Sequence, residues 1–596
     1  MRPTVGVGAH VSALWVPPTA GMAVRTLRTR RTRRAPPAMA AEPVVEEDTR
    51  PVHRVPAFIR IRDFAKLIKQ PVDSLVKMVA PRSHKRFHME FDGAKYEFKT
   101  IKQVVLPFEL AREIAHKLNK RVQFDDVEPR FHGDALRPRK TRQQQQEDQM
   151  WMRRNPVIAV MGHVDHGKTT LMDTLRQSNI AQFEVEGITQ KINVCAAVLG
   201  QTQASTSPLT ATFLDTPGHF HFFRMRTNAA QVADLVLLIV AADEGVLLQT
   251  EESIGAIEDA GIPVIACVNK VDVATSEQCD AVEHDLRGYV ALQTCPMVRI
   301  SGRTGQHLDQ LKDVIVQTIE ASPALAQRLN ACVAPDGPIE GVVLESVAVK
   351  GRGNVLRVLL KHGVVKKHDH FVAGMIHGVV RSVNNADGEE IAKGVPGTVV
   401  DVMYKRLSKY MDAPIEFGFF VLPAERAKQV MLQRELKIEL EEKAVPTDEE
   451  MKELRELAET EDGEEQGERA NARASNDGMN NAALKSERVP AGFVEETQGN
   501  TRPIVVKADG AGSLTSIQDT VDEMTGISTV RLGIGDITTT DIDVASNSRC
   551  AIFGFNVKMR RRETKLAKAR GVRVVLRPTV HGLIDEITKF EQEPRD

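Results

Sequence analysis

The sequence predicts a multidomain α/β protein. It should contain a domain with a mostly parallel sheet and helices on both faces, then a β-barrel domain, then a small α/β domain, with a small helical module in front. Three observations predict this. From Pro156, short apolar runs (VIAVM, ATFLD, ADLVLLIVAA, PVIACVN) alternate with amphipathic stretches such as QTEESIGAIEDAG, the rhythm of strands covered by helices. Between Gly337 and Pro423 the pattern changes to β-rich runs punctuated by glycine, as in GVVLESVAVKGRGNVLRVLLKHG, which suits a small barrel. A last α/β run opens with RPIVVKADG at Arg502 and ends near Phe590.

In chain order, residues 1–45 differ from everything after them. They carry Arg2, Arg25, Arg28, Arg30, Arg31, Arg33 and Arg34, with no acidic residue before Glu42. Arg-rich and acid-free is the composition of an organellar transit peptide, and sparse serine favours the mitochondrion; the other reading is a basic tail that touches RNA. In the module at 54–130, FIRIRDFAKLIKQPVDSLVKMVA reads as a strand and two short helices. LPFELAREIAHKLNKRV adds a helix with Leu110, Ile114 and Leu118 on one face. A basic, low-complexity linker follows at 131–155, then the sheet domain at 156–325 and the barrel at 336–423. Residues 424–500 begin as a charged helix, AERAKQVMLQRELKIELEE, and dissolve into EDGEEQGERANARASNDGMNN, a spacer by composition; the last domain covers 501–590.

Bulk properties restrict the function classes. At 596 residues the chain holds three or four domains of about 100–200 residues each. A net charge of −1 neither demands nor excludes a nucleic-acid partner, because a balanced total can conceal local basic surfaces. Cys195, Cys267, Cys279, Cys295, Cys332 and Cys550 are scattered without CxxC pairs, against a disulfide framework or a zinc site. LVLLIVAA from Leu235 is too short to span a bilayer and reads as a buried strand, so no membrane partner is expected.

The chemistry is carried by four short stretches. GHVDHGKTT runs from Gly162 through His163, Val164, Asp165, His166, Gly167, Lys168 and Thr169 to Thr170, after one strand and before a helix. Gly162 and Gly167 let the backbone curl so that its N–H groups converge on phosphate oxygens at a helix N-terminus. Lys168 would reach the β/γ-phosphates and the Thr169 hydroxyl would bind Mg²⁺. In DTPGH, Asp215, Thr216, Pro217, Gly218 and His219 follow a strand end, where such sheets bind ligands; Asp215 would hold the metal through water and the Gly218 N–H would meet the γ-phosphate.

NKVD (Asn269, Lys270, Asp272) supplies a carboxylate that can accept from both the N1–H and the amino group of guanine, a pairing adenine cannot offer. The Lys270 stem would lie over the base. SGRTG, with Ser301, Gly302 and Arg303, would give a backbone N–H to the guanine oxygen. In this order, each at a strand end, the four stretches read as a P-loop GTPase domain binding GTP or GDP with Mg²⁺. Cleavage needs a positioned water more than covalent chemistry, and His219 is placed to orient it. Thr189, in EGITQKI, would close on metal and γ-phosphate only with GTP present.

Together VMGHVDHGKTTLMD, GITQKI, FLDTPGHFHFFRMR, AADEGVLLQT and NKVD resemble the translational GTPases, and most closely bacterial-type translation initiation factor 2, in a mitochondrial form. IRIRDFAKLI resembles that family's N-terminal module, VLESVAVKGRGNV its second domain, and KADGAGSL with VASNSRCAIFGFNVKM its third. The resemblance implies that His219 is the catalytic histidine, that Val164 and Ile188 form an apolar gate around it, and that Asp165 helps hold a monovalent cation. It also implies hydrolysis that stays slow until the large ribosomal subunit docks, and a monomer in the mitochondrial matrix. Partners would be both ribosomal subunits and formyl-methionyl initiator tRNA. Glu186 and Lys191 depart from the family's usual glycine and histidine in the first switch, Gly302 from its usual alanine, and HFHFFRMRTNAA is bulkier than expected. After TVHGLIDEITKFEQEPRD the family continues into a second barrel that holds the initiator tRNA end, whereas this chain stops. A GTP-switched ribosome-binding or assembly protein without tRNA selection, and an elongation-type factor, are the other readings.

Overall fold

The computed structural model describes residues 51–83, 86–129, 151–176, 192–202, 205–218, 222–332, 338–349, 353–385, 388–408, 418–445 and 501–593. The arginine-rich leader, most of the linker, Glu186, Ile188, Thr189, Lys191, His219 and the spacer from 446 to 500 lie outside the described residues.

Six strands form the central sheet: β1 (Val157–Gly162), β2 (Asn193–Thr202), β3 (Ser205–Asp215), β4 (Leu235–Ala241), β5 (Val264–Asn269) and β6 (Met297–Arg299), in spatial order β2-β3-β1-β4-β5-β6. All neighbours are parallel except β2 and β3, a hairpin on one edge. Every residue of β1, β4 and β5 is buried, because helices cover both faces. LVLLIVAA is indeed the buried strand β4. On one side α1 (Lys168–Arg176) and α5 (Leu308–Ala321) close a core with Ile158, Phe213, Leu237 and Ile265. On the other, α2 (Phe223–Val232), α3 (Leu248–Ala260) and α4 (Ser276–Arg287) cover Ala159, Val236, Leu238 and Val268.

The barrel closes completely. Strands Ile339–Val349, Gly353–His362, Val399–Arg406, Ile376–Asn384, His370–Ala373 and Gly418–Val421 pair in a ring of six antiparallel neighbours around Val343, Leu356, Val358, Phe371, Val402 and Phe419. The last domain is a four-stranded parallel sheet, with Arg502–Ala508 between Ile527–Ile534 and Ala551–Phe555, and Val574–Arg577 on the outside. Helices Ala511–Asp522, Thr539–Asn547, Arg561–Ala569 and Val580–Gln592 connect and follow these strands.

Two features go beyond the sequence expectation. The first module carries its three helices (Ile61–Ile68, Val72–Val79, Phe108–Lys117) but also a hairpin, Arg86–Phe91 with Ala94–Phe98, turned at Asp92 and Gly93, whose φ angles are 51° and 76°. Two successive positive φ angles are what a two-residue hairpin turn needs, and Asp-Gly is a favoured pair for it. The charged helix at 424–441 is not free-standing: Leu436 and Leu440 enter the core of the first module, Ala427 and Val430 pack beside Val372 of the barrel, and Ala444–Val445 adds a strand to the hairpin.

One apolar cluster joins three domains, with Val157, Leu214, Phe222 and Met225 from the sheet domain, Leu344 and Leu359 from the barrel, and Leu514 and Ile517 from the last domain. Polar contacts fix the same seam: Thr212 Oγ1 donates to Gly397 O at 2.7 Å and Lys361 Nζ to Val232 O at 2.7 Å, and Arg224 pairs with Asp519 at 3.0 Å. Among the described residues no helix is long and apolar enough to cross a membrane.

Candidate functional site

The four stretches meet at the carboxyl ends of β1, β3, β5 and β6. The turn from β1 into α1 bends through Gly162 (φ 140°), Asp165 (φ 61°) and Gly167 (φ 87°). A Cβ on Gly162 would lie 2.2 Å from the Ile239 carbonyl oxygen of β4, so only glycine passes the neighbouring strand. A Cβ on Gly167 would lie 2.4 Å from Asn269 Nδ2.

That asparagine ties the loops together. Its Nδ2 donates to the His166 carbonyl at 2.8 Å, and its Oδ1 accepts from the Gly302 N–H at 2.9 Å. The sequence pattern assigns NKVD to the base; in the fold Asn269 braces the loop after β1 against SGRTG, while Asp272 carries a half-buried carboxylate. Ser301 Oγ donates to Asp272 Oδ1 at 2.7 Å and Arg303 to Oδ2 at 2.7 Å. The Ser301 hydrogen bond is the main reason the Asp272 pKa is lowered, which keeps its carboxylate charged. Lys270, at φ 66°, reaches from the end of β5 to Asp243 at 3.1 Å and Glu244 at 2.8 Å, both just after β4.

Lys168 is buried and its Nζ donates to the His163 carbonyl; Thr169 Oγ1 donates to Asp215 Oδ2 at 3.0 Å. A hydroxyl and a carboxylate side by side, beside loop N–H groups, are hard oxygen donors of the kind Mg²⁺ takes while it keeps several waters. Thr169 and Asp215 therefore fit a magnesium ion. Gly218 closes the phosphate end: a Cβ there would lie 2.6 Å from Lys168 Nζ and 2.9 Å from the Val164 nitrogen. Thr216, buried, donates to Val160 O at 2.7 Å, and Pro217 is buried beside it. Thr170 continues α1 half-buried, and its carbonyl accepts from Thr174 Oγ1.

His166 contributes its backbone to the site, since its ring is fully buried. Burial, then the neighbouring His163 ring centred 5.1 Å away, pull its pKa down to about 4. His163, half-buried, is lowered too, chiefly by burial.

Two residues escaped the sequence reading. Gln249 Oε1, at the start of α3, accepts from the Val164 N–H at 3.1 Å. Arg226, buried in α2, donates to the Pro217 and Gly218 carbonyls at 3.3 and 3.2 Å and pairs with Glu252. Both lie in stretches that carried the family resemblance, AADEGVLLQT and HFFRMR, and an arginine amid apolar helix residues was the available signal for the second.

Comparison with known proteins follows the same division of the chain. Residues 153–321 match the model of the elongation factor Tu GTP binding domain and residues 479–588 that of translation-initiation factor 2. Translation initiation factor IF-2 of Halothermothrix orenii is 32% identical over 446 residues, which are 73% of this chain and 57% of that protein. The mitochondrial translation initiation factor IF-2 of Mus musculus is 33% identical over 458 residues, 73% of this chain and 59% of that protein. A crystal structure of GDP-bound aIF5B from Aeropyrum pernix, 21% identical, covers 74% of this chain and 75% of that one with a TM-score of 0.41. The chain spans about half the length of the curated relatives it matches. The chain therefore carries a GTP-binding domain of the elongation factor Tu type and a translation-initiation factor 2 domain in one polypeptide, and it is similar over most of its length, at about 30% identity, to relatives named translation initiation factor IF-2.

Proposed function

We propose that the protein is an organellar initiation factor that binds GTP, promotes placement of formyl-methionyl initiator tRNA on the small ribosomal subunit, and hydrolyses GTP when the subunits join. The observation that carries the reading is the covalent and packed union of the two matched domains: Arg224 of α2, the helix after DTPGH, pairs with Asp519 of the last domain. A change around Gly218 then has a direct mechanical neighbour in the last domain. The mitochondrial relative and the arginine-rich leader support the organelle.

Within this reading Asp272 accepts from guanine, the SGRTG turn offers a backbone N–H to the base oxygen, and Lys168 with the loop N–H groups neutralises the phosphates. Thr169, Asp215 and Thr189 would hold a magnesium ion, which would supply charge neutralisation at the phosphates. Asp165 would help to hold a monovalent cation. His219 orients the attacking water behind the gate of Val164 and Ile188, and Arg226 keeps Pro217 and Gly218 in place before it. The protein acts as a monomer in the mitochondrial matrix.

The test is retention of formyl-methionyl initiator tRNA on mitochondrial small subunits, with the chain plus GTP or GDP, against an elongator tRNA. GTP-dependent, initiator-selective retention is expected. No retention, with ribosome-stimulated GTP hydrolysis intact, would replace the reading with a GTP-switched ribosome-binding protein that selects no tRNA.

A further inference from the structure

The net charge of −1 is not evenly spread. Helix Arg561–Ala569 of the last domain and the segment leading into it expose Lys558, Arg560, Arg561, Arg562, Lys565 and Lys568. At 3.6 residues per turn, Arg561, Lys565 and Lys568 fall at i, i+4 and i+7 and share one outer stripe about 10 Å long. The helix's only acid, Glu563, is half-buried and lies on the opposite side, with Leu566 and Ala567, which pack into the core beside Ile552 and Val557.

Nearby basic residues are already neutralised. Arg570 pairs with Asp543, Arg573 with Glu593 and Arg577 with Glu586. The charged ends of the six cations named above make no ion pair among the described residues, although the Lys558 backbone N–H donates to Asp536 at 3.0 Å. Six uncompensated like charges this close repel one another, and a polyanion relieves that repulsion by replacing the counterions they hold.

We infer that this face is a docking surface for the phosphate backbone of RNA. The form of the helix selects the partner. A membrane-surface helix needs a free apolar face to bury among lipids, and the apolar face here is spent on the domain core. Three cations one helical turn apart suit a regular row of phosphates and carry no base-reading geometry, so binding is insensitive to sequence. The choice of RNA over DNA rests on the ribosome-directed reading above. The charge stripe itself does not.

The experiment uses the full chain and a fluorescently labelled ribosomal RNA hairpin, with fluorescence anisotropy read across a salt series. The triple variant Arg561→Glu, Lys565→Glu, Lys568→Glu is set against Lys66→Glu, Lys77→Glu, Lys117→Glu, three exposed lysines of the first module that make the same charge change. The stripe variant should lose about hundredfold in affinity, and its slope of log K against log salt should shrink by about 2–3, one phosphate contact per residue. The control should change little. Neutral Arg561→Gln, Lys565→Gln, Lys568→Gln should fall between, with GDP binding and the thermal midpoint unchanged in all three.

Equal losses in stripe and control variants would overturn the surface. So would an unchanged salt slope, or stripe-dependent binding to phosphatidylserine vesicles with RNA binding intact. Failure of initiator tRNA retention with hairpin binding preserved would sink the functional reading and leave this surface standing.

Discussion

The side-chain amide of Asn269 donates to the His166 carbonyl at 2.8 Å, so the loop after β5 holds the loop after β1. The other end of the same amide accepts from Gly302, so one planar group sets the spacing of three of the four stretches. Asn269→Ala leaves two buried backbone groups unpaired, at a cost of about 1–3 kcal/mol each. Guanine-nucleotide affinity should fall on the order of a hundredfold, read by titration with a fluorescent GDP analogue. An affinity within threefold of wild type would mean that the loops hold their spacing without it.

Asp272 is placed differently. Its half-buried carboxylate takes one hydrogen bond from Ser301 on Oδ1 and one from Arg303 on Oδ2, and each oxygen keeps a second lone pair for a base. In Asp272→Asn the amide nitrogen is a donor where guanine also donates, whereas xanthine offers an acceptor at that position. GTP binding should weaken about a hundredfold or more and xanthosine triphosphate should become the better competitor. Unchanged GTP affinity in that competition would remove the base contact from Asp272.

Arg226 supports the site from beneath. It is fully buried, and the ion pair with Glu252 and two carbonyl hydrogen bonds offset part of its desolvation, which still pulls its pKa down. Arg226→Met strips the pair from one side and should destabilise the chain by about 3 kcal/mol, measured by urea unfolding. Glu252→Gln keeps a hydrogen-bond acceptor and should cost less. If Arg226→Met proved neutral, Pro217 and Gly218 would be held by their own turn geometry.

How much of this was legible depends on whether a feature is local. The phosphate-type turn, DTPG, NKVD and SGRTG are each imposed on a few consecutive residues by backbone geometry, so Gly162, Gly167 and Asp272 could be picked out by pattern. Gln249 and Arg226 act across the fold, on Val164 and Gly218, and no spacing in the sequence encodes such contacts. The same reason hid the role of the helix Ala424–Glu441. Its charged composition reads as a spacer, but Leu436 and Leu440 find their partners more than three hundred residues earlier, beside Phe64 and Leu75. The hairpin at Asp92–Gly93 did carry a local signal, a turn pair between alternating residues, and helical stretches on either side of it drew the reading towards helix.

The buried ring of His166 makes stability depend on pH. Its pKa in the folded protein is about 4, against about 6.5 for an exposed histidine, because burial and the His163 ring oppose a charge there. Glu244, whose carboxylate lies 3.5 Å from Nε2, pulls the other way, and Lys168 adds to the lowering. Between these two pKa values the unfolded chain binds the proton and the folded chain does not. The contribution is therefore whole above about pH 6.5 and is lost as pH falls towards 4. At pH 5 the loss is about 2 kcal/mol. His166→Met, similar in size and unable to titrate, should flatten the fall in urea midpoint between pH 7 and pH 5 relative to wild type. Carboxylates titrate alike in both proteins and cancel in the difference. Parallel pH profiles would show that the His166 ring reaches solvent before the domain unfolds, and that its burial does not govern the acid limb of stability.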